Sequence, residues 1–433
     1  MSAAVLERLH DEALLQPSVP PLRTIRVGLA GCGVVGGALV RLLDDCADTI
    51  AARHGVKIEL SRILVRDVRR DRGLQLPATI LTSDRASFIA EDVDVVVEAI
   101  GGIDAAGEIA RAALRGGRKF ITANKELIAS EGNELAALAR DAAGSLDFGA
   151  SVGGSAPVIS LLRDLLGVAS PRSVRGILNG TSNYVLTQIE RGLSYGDALA
   201  GARQRGLAEA DSSRDLDGRD SAAKLSIIAW ISYGIAPSAL RMSRIGLTST
   251  ADALVRYAAT LGGRVRLLAE SVVLPRREII TSVEPVIVRA SSSFGRTEHE
   301  DNRVEVDLGW AAPLTVSGPG AGGPPTATAL LGDLLNSALP RNERGSGAEA
   351  FTPVDDPRVH RWLLATRPSA ADSRFAIEES CVRIVEGANT PEGSIVAEAR
   401  RAEILEAIRR LEVRGLDSAV ARLDLPSSGR CDR

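Results

Sequence analysis

The sequence is short of cysteines, aromatic residues and long apolar runs, and these shortages exclude several classes of protein. Its four cysteines, Cys32, Cys46, Cys381 and Cys431, lie far apart and form no CxxC pair, which argues against a zinc site or a disulfide framework. No segment approaches the roughly 18 uninterrupted apolar residues of a membrane span. The first residues show no apolar run behind a basic start. We therefore expect a soluble, cytoplasmic protein with no membrane partner.

The chain also lacks an excess of positive charge. Its 52 basic and 55 acidic residues give a formal charge of -3, and they are mixed along the whole length. A nucleic-acid backbone attracts a basic stripe, so nucleic acid is not an expected partner. With 433 residues, 45% of them hydrophobic, the chain is long enough for two or three domains of roughly 100–200 residues each.

The first 150 residues alternate between strand and helix patterns. TIRVGLAG at 24–31 predicts a strand, residues 32–55 a helix and 57–67 a second strand. Further candidates are strands at 93–102, 118–124 and 145–151 and helices at 105–116 and 125–143. This alternation predicts a doubly wound parallel sheet, a Rossmann-type dinucleotide-binding domain over 24–150 behind an extension at 1–23.

The remaining sequence alternates less strictly and divides into three parts. Residues 151–340, which open with a helix pattern at 156–167, predict a mixed α+β substrate-binding domain. Residues 341–357 have the Gly, Pro, Ser and acidic content of a linker. A small α+β unit is expected at 358–433, with strand candidates at 361–367, 375–385, 393–401 and 418–425 and a helix at 402–413.

A glycine-rich loop follows the first strand and opens the first helix. Gly31, Gly33 and Gly36, with Val34 and Val35 between them, fit the pattern GxGxxG. The glycines let the backbone turn tightly and approach a pyrophosphate, to which the helix N-terminus offers free N–H groups. The alternative is the strand-to-helix turn of a Rossmann-like domain that binds nothing.

The end of the second strand carries the information on cofactor choice. An acidic residue there favours NAD, because its carboxylate accepts from the ribose 2′-OH. Here the strand ends with Arg66, whose guanidinium matches a 2′-phosphate, so we expect NADP(H) to be preferred. Asp67 leaves NAD(H) as an alternative cofactor, and a solvated surface charge cluster is the alternative for Arg66.

Acidic residues and one lysine are concentrated between 206 and 224, just before an apolar helix pattern. Asp220 and Lys224 are four residues apart, so on a helix they share one face. Lys224 enters an almost uncharged helix, which predicts partial burial, and a lysine buried beside carboxylates suits proton transfer. The alternative is an ordinary surface salt bridge.

This segment, GLAEADSSRDLDGRDSAAK, resembles the signature region of homoserine dehydrogenases. TANK at 122–125, GILNGTSNYVL at 176–186 and GPGAGGPPTATALLGDLL at 318–335 agree with the same family. The resemblance implies reduction of L-aspartate 4-semialdehyde to L-homoserine by NADPH, a step in threonine, methionine and isoleucine biosynthesis. It also implies a homodimer.

The resemblance implies roles for particular residues. Lys224 would donate the proton to the carbonyl oxygen, Asp220 would orient it or relay its proton, and Lys125 would lie between cofactor and substrate. Substrate contacts would come from Glu209, Asp215, Asn179, Gly180 and Thr181. Gly101 and Gly320 would complete the cofactor contacts, and the turn at 320–322 would return the chain to the cofactor domain.

Three segments depart from the family pattern. Gly149 replaces a glutamate that helps to hold a monovalent cation, leaving the backbone oxygens of Gly149, Val152, Gly154 and Ala156, so we expect no sodium requirement. Residues 291–303 do not match, which leaves open a substrate such as a related hydroxy amino acid. The C-terminal unit predicts a degenerate ACT-like domain with little sensitivity to threonine. A noncatalytic protein that binds cofactor or amino acid is the remaining alternative.

Overall fold

The computed structural model describes residues 22–208, 211–338, 352–367, 380, 382–385, 394–414 and 416–424. No helix in this part of the chain combines the length and the hydropathy that a membrane crossing requires.

The first domain contains a six-stranded parallel sheet with the strand order β3-β2-β1-β4-β5-β6. Its strands are β1 (Arg23–Ala30), β2 (Val56–Leu64), β3 (Leu81–Thr82), β4 (Val95–Glu98), β5 (Lys119–Thr122) and β6 (Ser145–Asp147). Its helices are α1 (Val34–Asp45), α2 (Ala47–His54), α3 (Arg85–Ala90), α4 (Asp104–Arg115) and α5 (Lys125–Asp141). The predicted doubly wound, Rossmann-type sheet is confirmed.

Both faces of this sheet are covered, as the apolar sequence of its central strand predicts. All four residues of β4 are buried. Val95 and Val97 pack into one apolar cluster, whereas Val96 packs into a second cluster on the opposite face. Alternate side chains of a strand point to opposite faces, so a strand that is apolar throughout requires helices on both sides.

The second domain is built on a mixed sheet, which confirms the prediction for this part of the chain. Its strands are β7 (Ser173–Ile177), β8 (Met242–Arg244), β9 (Gly263–Val273), β10 (Glu278–Arg289), β11 (Asp301–Asp307) and β12 (Leu314–Pro319). Its helices are α6 (Val158–Leu165), α7 (Gly180–Glu190), α8 (Tyr195–Gln204), α9 (Ser213–Leu216), α10 (Arg219–Tyr233) and α11 (Ala251–Thr260). β9 pairs antiparallel with β10 along the whole length of β9, while β8 and β10 pair in parallel.

The next helix, α12 (Gly323–Ala338), returns to the first domain. Its residues Ala327, Leu330 and Leu334 are buried in the same apolar cluster as Leu39 and Leu43 of α1. The chain therefore crosses between the domains twice, once near residue 150 and again near residue 320.

The C-terminal strands extend the second sheet. They are β13 (Thr352–Pro353), β14 (Val359–Arg367), β15 (Arg383–Ile384), β16 (Ser394–Arg400) and β17 (Asp417–Leu423), with helix α13 (Arg401–Val413). β17 pairs with β10, and β14 lies between β17 and β16. The extension at 1–23, the linker at 341–357 and the strand candidate at 375–385 fall largely outside the described residues, and the ACT-like unit stays a prediction.

Two local differences from the sequence expectation have simple causes. The single helix expected at 32–55 is divided at Cys46, which has φ -102° and ψ 0° and so ends α1 before α2 begins. β3 and α3 lie in the stretch 68–92, where no element was predicted. A two-residue strand is too short to show any periodicity.

Candidate active site

Glycine is needed at the three positions of the first loop for different structural reasons. Gly31 has φ +99°, a conformation that favours glycine, and a Cβ there would lie 2.6 Å from the carbonyl oxygen of Ala99. A Cβ on Gly36 would overlap the carbonyl oxygen of Gly31. A Cβ on Gly33 would meet nothing within 4 Å. The fold therefore requires Gly31 and Gly36, whereas Gly33 keeps open the space in front of α1.

The N-terminus of α1 faces this open space. Gly33 is its N-cap and supplies no side-chain cap, and Val34 is 77% exposed while Val35 is partly buried. Uncapped N–H groups at a helix N-terminus attract an anion. The residues of this loop thus fit the pyrophosphate of a dinucleotide.

Beyond β2 the chain presents Arg66 to solvent. Arg66 has no hydrogen bond or ion pair to any residue that the structure describes. The neighbouring Asp67 is engaged in its own turn, because its Oδ1 accepts the backbone N–H of Arg69 at 2.8 Å. The guanidinium is therefore available to a ligand at the strand end where a ribose would lie.

A buried carboxylate that the sequence analysis missed shapes the next loop. Glu98 ends β4 and is 0% exposed. Its Oε1 accepts the N–H groups of Ile100 at 2.7 Å and Gly101 at 2.9 Å, and its other oxygen accepts the hydroxyl of Thr122. A charged residue closing an otherwise apolar strand was the available signal. Glu98 fixes the turn at Gly101, which has φ +73° and open space around its Cβ position.

Lys125 and Lys224 meet on a single carboxylate. Lys125 is the first residue of α5, behind the cap that Asn124 makes with Leu127 N–H, and its ammonium lies 3.1 Å from Asp220 Oδ1. Lys224 Nζ lies 2.9 Å from Asp220 Oδ2, one helical turn away on α10. Because α5 belongs to the first domain and α10 to the second, this cluster lies between the domains.

The Asp220–Lys224 pair is buried, which excludes an ordinary surface salt bridge. The side chains are 11% and 10% exposed, respectively. Burial alone would raise the pKa of Asp220, but the ammonium groups of Lys224 and Lys125 more than offset it and hold that pKa well below its usual range. Asp220 is thus ionised at all ordinary pH values.

Asn179 connects Asp220 to Asp215. Its Nδ2 donates to Asp215 Oδ1 at 2.8 Å and to Asp220 Oδ2 at 2.9 Å, while its Oδ1 accepts the N–H of Ser182 as the cap of α7. Burial, together with the nearby charge of Asp220, raises the pKa of Asp215 although the amide of Asn179 opposes the rise. A cation beside Asp215 would therefore stabilise its charged form.

Lys224 has one N–H that no described residue occupies. Its Nζ donates to the carbonyl oxygen of Leu178 at 2.7 Å and to Asp220 at 2.9 Å, and it is 8% exposed. An ammonium carries three donors, so one remains. This remaining N–H can donate a hydrogen bond to the oxygen of a carbonyl compound.

The other predicted substrate residues lie around this cluster. Gly180 begins α7 and packs so closely on Glu300 that a Cβ would lie 2.7 Å from its carbonyl oxygen. Thr181 is buried, and its hydroxyl donates to the carbonyl oxygen of Leu207 at 2.7 Å, which holds the segment that leads to residue 209. Glu209 itself lies outside the described residues.

One of the predicted cation residues, Gly149, lies against a carboxylate that the sequence did not indicate. A Cβ on Gly149 would lie 2.5 Å from Oδ1 of Asp333, a buried residue of α12. Burial and the neighbouring Asp147 raise the pKa of Asp333 to about 6. A carboxylate of α12 therefore lies beside the backbone of Gly149, so the oxygen atoms at this point are not limited to the backbone.

The backbone oxygens at this point do not form a free ring. The carbonyl oxygen of Ala156 accepts the N–H of Val158 at 2.8 Å, and that of Gly149 accepts the N–H of Val152 at 3.5 Å. Within the described part of the chain, no group of three or more acidic, histidine or cysteine residues is arranged to hold a metal. Whether the backbone oxygens of Gly149, Val152, Gly154 and Ala156 hold a cation stays a prediction.

A fully buried arginine binds the backbone of the divergent segment 291–303. Arg266 of β9 donates to the carbonyl oxygens of Phe294, Gly295 and Thr297 and forms an ion pair with Glu190 at 2.6 Å. The end of this segment then reaches the N-terminus of α7. The divergent sequence therefore supports the loop of Asn179 and Gly180.

A doubly wound domain with room for a pyrophosphate, set beside a buried ammonium that has one donor to give, defines an NAD(P)-dependent dehydrogenase acting on a carbonyl or hydroxyl group. The comparisons with known proteins specify this class further. The family model described as homoserine dehydrogenase matches residues 157–335, and the model for the NAD binding domain of the same enzyme matches residues 31–148.

Relatives agree with this result. The homoserine dehydrogenase of Mycobacterium leprae is 38% identical over 351 residues, 80% of this chain and 79% of the relative. That of Corynebacterium glutamicum is 36% identical over 328 residues, 74% of each chain. The crystal structure of the enzyme from Thiobacillus denitrificans superposes with a TM-score of 0.79 at 28% identity, covering 93% of this chain and 98% of that one.

The chain belongs to the homoserine dehydrogenase family. It is an NAD(P)-dependent oxidoreductase that interconverts L-aspartate 4-semialdehyde and L-homoserine, a reaction of threonine, methionine and isoleucine biosynthesis.

Proposed function

We propose that Lys224 is the proton donor of this reaction, that Asp220 and Lys125 position and balance its charge, and that NADP(H) is the preferred cofactor. The observation that carries the proposal is the uncommitted third N–H of Lys224, at a buried ammonium whose other two donors are held by Leu178 and Asp220.

The mechanism follows from what these side chains hold. The bound cofactor supplies the hydride to the aldehyde carbon of the substrate. Lys224 donates a hydrogen bond to the aldehyde oxygen and gives up its proton as negative charge develops there. Because Lys224 is nearly buried, this charge is stabilised in a site from which most water is excluded. In the oxidation of homoserine, an unprotonated Lys224 accepts the hydroxyl proton.

The carboxylates have two separate roles in this proposal. Asp220 stays ionised and holds both lysines, which fixes the direction of the donor. Burial raises the pKa of Asp215, so the ammonium group of an amino-acid substrate beside it would stabilise its charged form. We assign Asp215 and Glu209 to that ammonium group and the loop of Asn179, Gly180 and Thr181 to the substrate head group.

Cofactor preference rests on Arg66. Its exposed guanidinium has no partner among the described residues, whereas Asp67 is committed to its own turn. A forked, charge-assisted contact with a 2′-phosphate is the use that this arrangement favours. Gly31, Gly33, Val34, Val35 and Gly36 would hold the pyrophosphate, and Gly101, Lys125 and Gly320 would face the nicotinamide end.

We further propose a cytoplasmic homodimer with a cofactor domain at 24–150, a substrate domain at 151–340 and an ACT-like unit at 358–433. Light scattering would then give twice the 45.5 kDa of one chain. The enzyme is expected to work without added sodium or potassium and to be insensitive to threonine. Dependence on either cation, or inhibition at low millimolar threonine, would contradict these two expectations.

One assay tests substrate and cofactor together. NADPH oxidation is followed with L-aspartate 4-semialdehyde, and the same titration is repeated with NADH. The proposal predicts turnover with both nucleotides and a higher kcat/KM with NADPH. Equal or better use of NADH would reject the role given to Arg66, and no turnover with either would reject the substrate.

A further inference from the structure

A buried asparagine shares a hydrogen-bond acceptor with the proposed proton donor, and neither the sequence motifs nor the family resemblance assigned it a role. Asn302 is the second residue of β11 and is 1% exposed. Its neighbour across the sheet is Gly318 of β12, and the residue after it pairs with Ile177 of β7. The topology therefore places Asn302 where the substrate loop and the return to the cofactor domain meet.

One end of its side chain is tied to the acceptor of Lys224. Nδ2 of Asn302 donates to the carbonyl oxygen of Leu178 at 3.3 Å, and the same oxygen accepts from Lys224 Nζ at 2.7 Å. This contact fixes which atom of the carboxamide is nitrogen, since a carbonyl oxygen needs a donor. The oxygen Oδ1 must then point away from Leu178.

The whole carboxamide lies against Gly320. A Cβ on Gly320 would stand 2.0 Å from Nδ2 and 2.5 Å from Oδ1 of Asn302. Gly320 belongs to the turn that leads into α12, and a Cβ on Gly323 would lie 2.9 Å from the carbonyl oxygen of Val34 at the cofactor loop. The carboxamide of Asn302 thus packs on the turn that leads the chain from the substrate domain to the cofactor loop.

Oδ1 of Asn302 is buried and accepts no hydrogen bond from the part of the chain that the structure describes. A buried amide oxygen without a donor is unfavourable, and native proteins rarely leave one unpaired. Asn183 also has a buried unpaired Oδ1, but its Nδ2 contacts only carbonyl oxygens of the segment 297–301, away from Lys224. The position, together with the unpaired acceptor, distinguishes Asn302.

We propose that Asn302 is a positioning residue whose Oδ1 accepts an N–H of the nicotinamide carboxamide while its Nδ2 stays on the carbonyl oxygen of Leu178. The ring would then be fixed relative to the acceptor that also fixes Lys224. A neutral amide oxygen suits a neutral carboxamide donor, whereas the substrate ammonium already has Asp215. The inference rests on the proposed function, because it places the ring beside Lys224.

The test is a binding cycle that does not depend on turnover. The Kd values of NADP and of its 3-acetylpyridine analogue are measured by calorimetry. In the analogue a methyl group replaces the NH2 of the carboxamide, so the N–H donor is lost. For each protein, the Kd of the analogue is divided by the Kd of NADP. We expect this ratio to be roughly tenfold larger for the unmodified enzyme than for Asn302→Leu, which is the contribution of one hydrogen bond. Asn183→Leu is the matched control and keeps the full preference.

The outcomes separate this inference from the proposed function. If Asn302→Leu, folded by circular dichroism, discriminates as well as the unmodified enzyme, the contact is absent and the inference is wrong. If the variant instead loses its preference for homoserine over 4-hydroxybutanoate, the N–H belongs to the substrate and the cofactor assignment is overturned. An enzyme that shows the expected cycle but does not turn over aspartate semialdehyde would keep the contact and reject the proposed substrate.

Discussion

The carboxylate of Asp220 holds the ammonium group of Lys224 at 2.9 Å inside the protein, and its second oxygen holds Lys125 at 3.1 Å. One acidic side chain thus joins a lysine of the cofactor domain to a lysine of the substrate domain. Its charge balances the donor, and its position sets the direction of the donor.

Replacing Asp220 by asparagine should slow catalysis while leaving the cofactor bound. The amide keeps the shape but removes the charge that orients Lys224, so kcat should fall by about 10- to 100-fold. The Kd of NADP should change little. Asp217→Asn is the matched control, because Asp217 pairs with Arg219 and Arg244 at the surface. Equal kcat values for the two variants would contradict the role of Asp220.

The glycines of the cofactor loop should separate binding from folding. Gly33→Ala places a methyl group in open space, so thermal stability should change little while the Kd of NADP rises by roughly tenfold or more, because the methyl group occupies the approach of the pyrophosphate. Gly36→Ala forces the methyl group against Gly31 and should cost about 1–3 kcal/mol of folding free energy. If Gly33→Ala binds NADP normally, the pyrophosphate lies elsewhere.

Arg66→Ser should reverse the choice between the two nucleotides. Losing a charge-assisted contact with the 2′-phosphate should raise the Kd of NADP by about 10- to 100-fold and leave the Kd of NAD nearly unchanged. The exposed Arg53 at the end of α2 provides the control, since Arg53→Ser removes the same charge away from the strand end. A parallel loss of both nucleotides in Arg66→Ser would show that Arg66 does not read the phosphate.

Acid should weaken the junction between the C-terminal strands and the second domain. Asp356 is buried and accepts from His360, Arg358 and Arg401. Burial alone would raise the pKa of Asp356, but these donors hold it well below the usual range. A carboxylate with a depressed pKa stabilises the fold above its unfolded pKa of about 3.9, and this contribution is lost as the pH falls towards the folded value.

The unmodified protein should therefore lose thermal stability between about pH 5 and pH 3 more steeply than Asp356→Asn. The matched control is Asp92→Asn, because the Asp92 side chain is 87% exposed and, among the described residues, forms its ion pair with the half-exposed Arg26. This control should follow the unmodified protein. Parallel curves for all three proteins would rule out the contribution of Asp356.

The features that the sequence predicted depend on short-range patterns. The glycine loop lies between a strand and a helix, so its position could be recognised from 24–55. The burial of Lys224 followed from the apolar helix that it enters. The parallel sheet followed from strands such as β4, which is apolar except for its last residue, Glu98.

The features that the sequence did not predict depend on contacts between distant residues. Asp333 fills the space at Gly149 across 184 positions of the chain, and nothing near either residue shows this. The pairing of β17 with β10 and the contact of Asn302 with Leu178 are of the same kind. Such contacts depend on tertiary packing, which the periodicity of a local segment does not reveal.

The most direct test of the account is the rate of NADPH oxidation with L-aspartate 4-semialdehyde by Lys224→Ala, compared with Lys57→Ala, a change at an exposed lysine of β2. If Lys224 donates the proton, its loss should lower kcat by about 10²- to 10⁴-fold while the Kd of NADPH stays near that of the control. Thermal stability should fall because the buried Asp220 loses one of its two ammonium partners, so turnover is measured at a temperature at which circular dichroism shows a folded protein. A Lys224→Ala protein with near-normal turnover would contradict the assignment of Lys224 as the proton donor.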